Sequence, residues 1–140
     1  MRYGEVTPAG VTSVMVVMEK STVVVVVRGD MDAMSADEVG HDLMRAARCT
    51  HLSRCVVIDL REVDFIDSRG LQTLVHTRDE LGTQGIVPYL VMRDGSAARR
   101  LFSITHLEEE FPIHRRVGDA LSAARRGPRG NGNGERLAPA

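Results

Sequence analysis

The stretch 63–81, VDFIDSRGLQTLVHTRDEL, decides how the rest of this 140-residue chain is read. It enters as the tail of a strand, because Val56, Val57, Ile58 and Leu60 run directly into it. It leaves as a helix, because Leu71, Leu74, Val75 and Leu81 recur at near-helical spacing with Arg78 on the margin. Between the two lies Asp67-Ser68-Arg69-Gly70. A Ser placed just before an amphipathic helix is expected to be its N-cap, the hydroxyl accepting from free N–H groups of the first turn. The same turn gathers unpaired donors and the positive end of the helix dipole, so it suits an anion such as a phosphate. Ser68 is therefore expected to be a structural cap, a switch, or both.

Working upstream, residues 55–60 make a buried strand, and Ser35-Ala36-Asp37-Glu38 reads as a capping box that opens a helix. Ala36, Val39, Leu43, Ala46 and Ala47 give that helix one apolar face, to about Arg48. Residues 22–28 (TVVVVVR) are the strongest strand signal, a β-branched run suited to burial on both faces. Residues 14–18 (VMVVM) form a second strand only about three residues away, so the two are expected to pair antiparallel. Downstream, Gly82 is expected to stop the helix. Residues 86–92 (IVPYLVM) read as another strand; Pro88 has no N–H, which either weakens that reading or places Pro88 on an unpaired edge. Ser96 caps a short helix to about Phe102; a polar loop, a short strand at 111–114 and a closing helix around Val117, Ala120, Leu121 and Ala124 follow.

The order is ββαβαβα and then βα, which implies largely parallel pairing with one antiparallel strand. The length fits one domain, expected at 11–126. Residues 1–10 are expected to form a flexible arm, and the Gly-, Asn- and Pro-rich residues 127–140 a disordered tail. Hydrophobic residues make up 43% of the chain and aromatic ones 4%, with no Trp, so the core is expected to be aliphatic. With 18 basic and 19 acidic residues there is no electrostatic footprint for nucleic acid. No apolar run approaches the ~20 residues of a membrane span, and the first ten residues lack the apolar centre of a signal peptide. Cys49 and Cys55 are then expected to be free thiols in a reducing, cytoplasmic setting.

Order and local motifs together resemble the STAS domain, and within it the bacterial anti-sigma factor antagonists. The residues that carry the resemblance are Gly29-Asp30-Met31-Asp32, Ile58-Asp59-Leu60, Phe65-Ile66-Asp67-Ser68-Arg69-Gly70-Leu71, and Arg99-Arg100-Leu101-Phe102 with Leu107. The resemblance spans about residues 14–124. It implies a mixed, mostly parallel sheet of four to five strands with an antiparallel N-terminal strand, packed with about four helices. It also implies a regulator that is not an enzyme. Its partner would be an anti-sigma factor serine kinase, which supplies the ATP site and phosphorylates Ser68. The unphosphorylated form would bind that kinase and free a sigma factor, and a separate serine phosphatase would reset the switch. Asp30, Asp32, Asp67, Arg69 and Gly70 would lie on the partner-facing surface. Arg69 departs from the family pattern, where a small Ser or Thr follows the modified Ser. A guanidinium there can pair with a phosphate or change which partner fits.

Other chemistries fit less well. Asp30, Asp32 and Asp67 also suit plain turns. Cys49, His51 and Cys55 do not have the paired spacing of a zinc site. Ser68 and His76 would lie about two turns apart on one helix, too far for a nucleophile–base pair. No metal or cofactor is expected. A non-phosphorylated STAS subunit of a sensory or transport assembly and a small-ligand or nucleotide-binding module remain as alternative readings.

Overall fold

The computed structural model describes residues 13–19, 22–48 and 54–126. Two strands open it, β1 (Ser13–Glu19) and β2 (Thr22–Met31), and they pair antiparallel as their spacing predicts. Alternate valines of β2 go to opposite faces of the sheet: Val23, Val25 and Val27 to the larger core, Val24 to the smaller. Then come α1 (Ala36–Ala47), β3 (Cys55–Ile66), α2 (Ser68–Gly82), β4 (Val87–Val91), α3 (Ala97–Ile104), a 3-10 turn at Leu107–Glu109, β5 (Ile113–His114) and α4 (Val117–Arg126). The sheet order is β1-β2-β3-β4-β5, and every pair after the first is parallel. The expected α/β architecture is met: five strands, an antiparallel first strand, four helices. The N-terminal arm, the C-terminal tail, Cys49 and His51 lie outside the described residues.

Three helices cover one face and one covers the other. Val39 and Leu43 of α1, Leu71, Leu74 and Leu81 of α2, and Ala98 and Phe102 of α3 pack on Val25, Ile58 and Leu90. On the reverse face Ala120, Leu121 and Ala124 of α4 pack on Val24, Val57, Tyr89 and Val91. Cys55 belongs to this second core, its thiol donating to the Ala124 carbonyl at 3.5 Å. Pro88 falls where its missing donor does no harm. Leu90 and Met92 donate to Pro112 and His114 on the β5 side. Pro88 shares their parity, but β5 reaches back only to the Leu90–Ile113 pair.

Ser96 caps α3, accepting from the Arg99 N–H at 3.1 Å. Ser35 precedes α1 but makes no capping bond. Its hydroxyl instead donates to the Asp30 carbonyl at 2.8 Å and accepts from the Asp32 N–H at 3.1 Å. The capping box is therefore absent, because the hydroxyl ties the β2–α1 turn to the strand. Gly82 is the last residue of α2, but the left-handed turn that reverses the chain comes later, at Gly85 (φ +74°).

β3 is twice the expected length. It continues past Leu60 with two register shifts against β2, between Val26 and Arg28 and between Gly29 and Asp30, each taking up one extra residue of β3, while Glu62 stays paired with Arg28. Asp59, 3% exposed, anchors the first shift. Its Oδ1 accepts from the Arg61 backbone N–H at 3.1 Å and from Nε at 2.9 Å, while Oδ2 takes Nη2 at 2.9 Å. That hydrogen bonding holds the Arg61 guanidinium above its ordinary pKa. Arg28 and Glu62 pair across the same shift at 2.8 Å.

Candidate functional site

The two shifts bring the ends of β2 and β3 level. Met31 stands beside Ile66 and Asp30 beside Phe65. The Asp67 N–H then donates to the Met31 carbonyl at 3.1 Å, which fixes where α2 begins. Asp67 is extended (φ −114°, ψ −171°), and its Oδ1 accepts from the N–H groups of Arg69 at 2.9 Å and Gly70 at 3.0 Å. Asp67, not Ser68, is thus the N-cap, and the expectation for Ser68 is corrected. Both residue types cap well; the strand bond at Asp67 N puts that residue, rather than the next, at the boundary. Ser68 becomes the first helical residue and is exposed. Asp67 already fills the donors that an anion at this helix start would use.

Gly70 is buried against β2. An added Cβ would lie 2.2 Å from the Met31 oxygen and 2.9 Å from the Met31 carbonyl carbon, so only Gly lets α2 come this close. Asp32 shapes the β2–α1 turn, its Oδ1 accepting from the N–H groups of Met34 at 3.0 Å and Ser35 at 3.2 Å. Asp30 sits half-buried at the end of β2, its carbonyl held by the Ser35 hydroxyl. Arg69 extends from the first turn of α2 toward α1, with Nη2 3.7 Å from Oδ1 of Asp37. The backbone therefore brings Asp30, Asp32, Asp67, Ser68, Arg69 and Gly70 to one end of the sheet. Within that set Asp32 and Asp67 spend an oxygen on turn geometry, and Gly70 contributes space.

Two apolar residues at this end escaped the sequence reading. Phe65 is 50% exposed and Met34 93% exposed, while Phe102 and Phe111 are buried. The signal for Phe65 was present: with Ile66 turned into the core, strand alternation turns its neighbour outward. For Met34 only the surrounding turn residues hinted at exposure. Carboxylates are frequent on the same elements: Asp37 and Glu38 on α1 and Asp64 on β3 are exposed, and Asp30, Asp32 and Asp67 are half-buried. Of the nearby cations, Arg28 pairs with Glu62 and Arg69 with Asp37. The arrangement offers an exposed hydroxyl on an acidic, partly apolar surface. Among the described residues no group of three or more His, Cys, Asp or Glu could hold a metal ion. No helix there is long and apolar enough to cross a membrane.

Known proteins resemble this chain in sequence and in fold. The family model described as STAS domain matches residues 13–120. The anti-sigma-F factor antagonist RsfA of Mycobacterium tuberculosis is 29% identical over 104 residues, covering 74% of this chain and 80% of the relative. The anti-sigma-F factor antagonist RsfB of the same species is 35% identical over 72 residues, 51% of this chain and 57% of the relative. The crystal structure of an anti-sigma factor antagonist from Mycobacterium paratuberculosis superposes with a TM-score of 0.74 at 29% identity. It covers 86% of this chain and 99% of its own.

Proposed function

This chain belongs to the STAS domain family, and from that premise we propose that it acts as an anti-sigma factor antagonist. In this reading the unphosphorylated domain docks on an anti-sigma factor that is a serine kinase, and docking frees the sigma factor. The kinase brings the ATP, phosphorylates Ser68 and so releases itself; a separate serine phosphatase restores the hydroxyl. The domain works by binding, in the cytoplasm, with residues 11–126 as the folded unit and residues 1–10 and 127–140 as arm and tail.

The observation that carries the reading is the division of labour between Asp67 and Ser68. Because the Asp67 carboxylate holds the first turn, the exposed Ser68 is not consumed in capping and can be modified without unravelling α2. Around it, Phe65 and Met34 supply apolar contact area, and Asp30, Asp32 and Arg69 supply polar contacts. A phosphate adds about −1.5 to −2 charges at neutral pH to a surface already rich in carboxylates. Docking must desolvate that anion, and a partner shaped for a neutral hydroxyl has no countercharge to return the cost.

The test is calorimetric titration of the unmodified chain and two variants against the cognate kinase. Ser68→Ala is expected to bind as the unmodified chain does and to resist switching. Ser68→Glu is expected to bind at least about tenfold more weakly, some 1.4 kcal/mol, with circular dichroism unchanged in both. Equal affinity of the two variants, with Ser68 unmodified after incubation with kinase and ATP, would reduce the site to a phosphorylation-independent docking surface.

A further inference from the structure

A phosphate on Ser68 needs a countercharge, and the usual one is already taken. The Asp67 carboxylate occupies the Arg69 and Gly70 N–H groups at the start of α2, so the helix end has little left to offer a second anion. Asp30, Asp32, Asp37, Glu38, Asp64 and Asp67 lie on the strand ends, the turn and the helix starts that meet at this end of the sheet, and give it a negative balance. Arg28 is engaged by Glu62 at 2.8 Å. Among the described residues the Arg69 guanidinium, next in sequence to Ser68, pairs with Asp37 alone, at 3.7 Å, with the two side chains 52% and 98% exposed. A pair that long and that wet contributes little to stability and is easily exchanged.

We propose that a phosphate on Ser68 is bound by the Arg69 guanidinium, which leaves Asp37 to receive it. This rests on the reading of Ser68 as the modified residue. The phosphate outbids Asp37 on two counts: it carries more charge, and it offers several oxygens to a planar fork that favours bidentate pairing. The exchange is confined to side chains, so α2 keeps its cap and its contact with Met31. It also removes the Arg69–Asp37 ion pair between the first turns of α1 and α2, leaving the α1 carboxylates Asp37 and Glu38 without that countercharge. Phosphorylation thereby alters the α1 side of the docking surface as well as the serine itself.

The test installs phosphoserine at position 68 genetically, so that it does not depend on any kinase. The second ionisation of the phosphate is followed by phosphorus NMR in the otherwise native chain and in Arg69→Gln. The native chain is expected to titrate lower by about half a pH unit, the scale of an exposed ion pair. The Arg69 Nε–H resonance reports the partner directly. Asp37→Asn should move it in the unmodified chain and leave it in place in the phosphorylated one. Equal titration of the native and Arg69→Gln chains, or an Arg69 resonance that still responds to Asp37→Asn after phosphorylation, overturns the exchange. A Ser68 that no kinase modifies would overturn the functional reading instead, and would leave these NMR outcomes as they are.

Discussion

Gly70→Ala is expected to lower the melting temperature by about 10 °C, corresponding to some 3 kcal/mol of overpacking. The added methyl would sit 2.2 Å from the Met31 oxygen, nearly an ångström inside the closest tolerable contact. Neither side can yield cheaply. Met31 is fully buried at the end of β2, and its carbonyl already accepts from the Asp67 N–H at 3.1 Å. To make room, the start of α2 must lift away from the sheet and break that bond, which displaces Ser68 along with it. Gly70→Ala should therefore lose partner affinity by more than its stability alone accounts for, whereas Gly82→Ala, with open space around its Cβ, should gain or lose little. Thermal melts of the two variants decide the matter. A Gly70→Ala chain within a degree of the parent would show that the close approach of α2 to β2 is not maintained in solution.

Val25→Asp is the second large effect. Val25 is 0% exposed, between Val16 of β1 and Ile58 of β3 in the larger core. A carboxylate there has no cation within the apolar cluster, so the expected loss is several kcal/mol, about 4, from a domain whose total stability is on the order of 5–15. The penalty has a definite pH dependence. Burial raises the folded-state pKa of such an acid above its unfolded value of about 3.9. The destabilisation is then fullest above the folded pKa and eases as pH falls through it. Urea unfolding at two pH values measures this. A variant as stable as the parent at neutral pH would place β2 outside the core.

These two residues also mark what the sequence could and could not disclose. The core was legible because TVVVVVR admits few readings other than a strand buried on both faces, and because the apolar face of α1 repeats at helical spacing. The site's location followed from where the second and third strands end. Its detail did not follow, since it depends on choices between near-equal local options. Asp67 and Ser68 are both good caps; a tertiary hydrogen bond to Met31 selects the first. Ser35 and Glu38 have the pattern of a reciprocal cap, yet the hydroxyl finds a strand carbonyl that no local rule anticipates. Beyond Leu60 the charged residues Arg61, Glu62 and Asp64 interrupt the apolar run and look like a strand end. Only the partner strand, with Asp59 buried beneath the first shift, shows that the strand continues. The exchangeable pair between Arg69 and Asp37 joins residues far apart in the chain, and no spacing rule connects them.

The irregular ladder between β2 and β3 imposes a counting rule. β3 advances seven residues from Asp59 to Ile66 while β2 advances five from Val26 to Met31. The surplus of two is taken one residue at each shift, and each shift keeps the facing: Leu60, Val63 and Ile66 recur at three-residue steps and all reach the core that Val27 and Met31 reach from β2. A straight strand returns to one face every second residue; this stretch returns every third, because each bulge carries one residue outside the count. The two shifts therefore act as separate length adjusters, each able to give back one residue to the ladder without turning Ile66 out of its pocket.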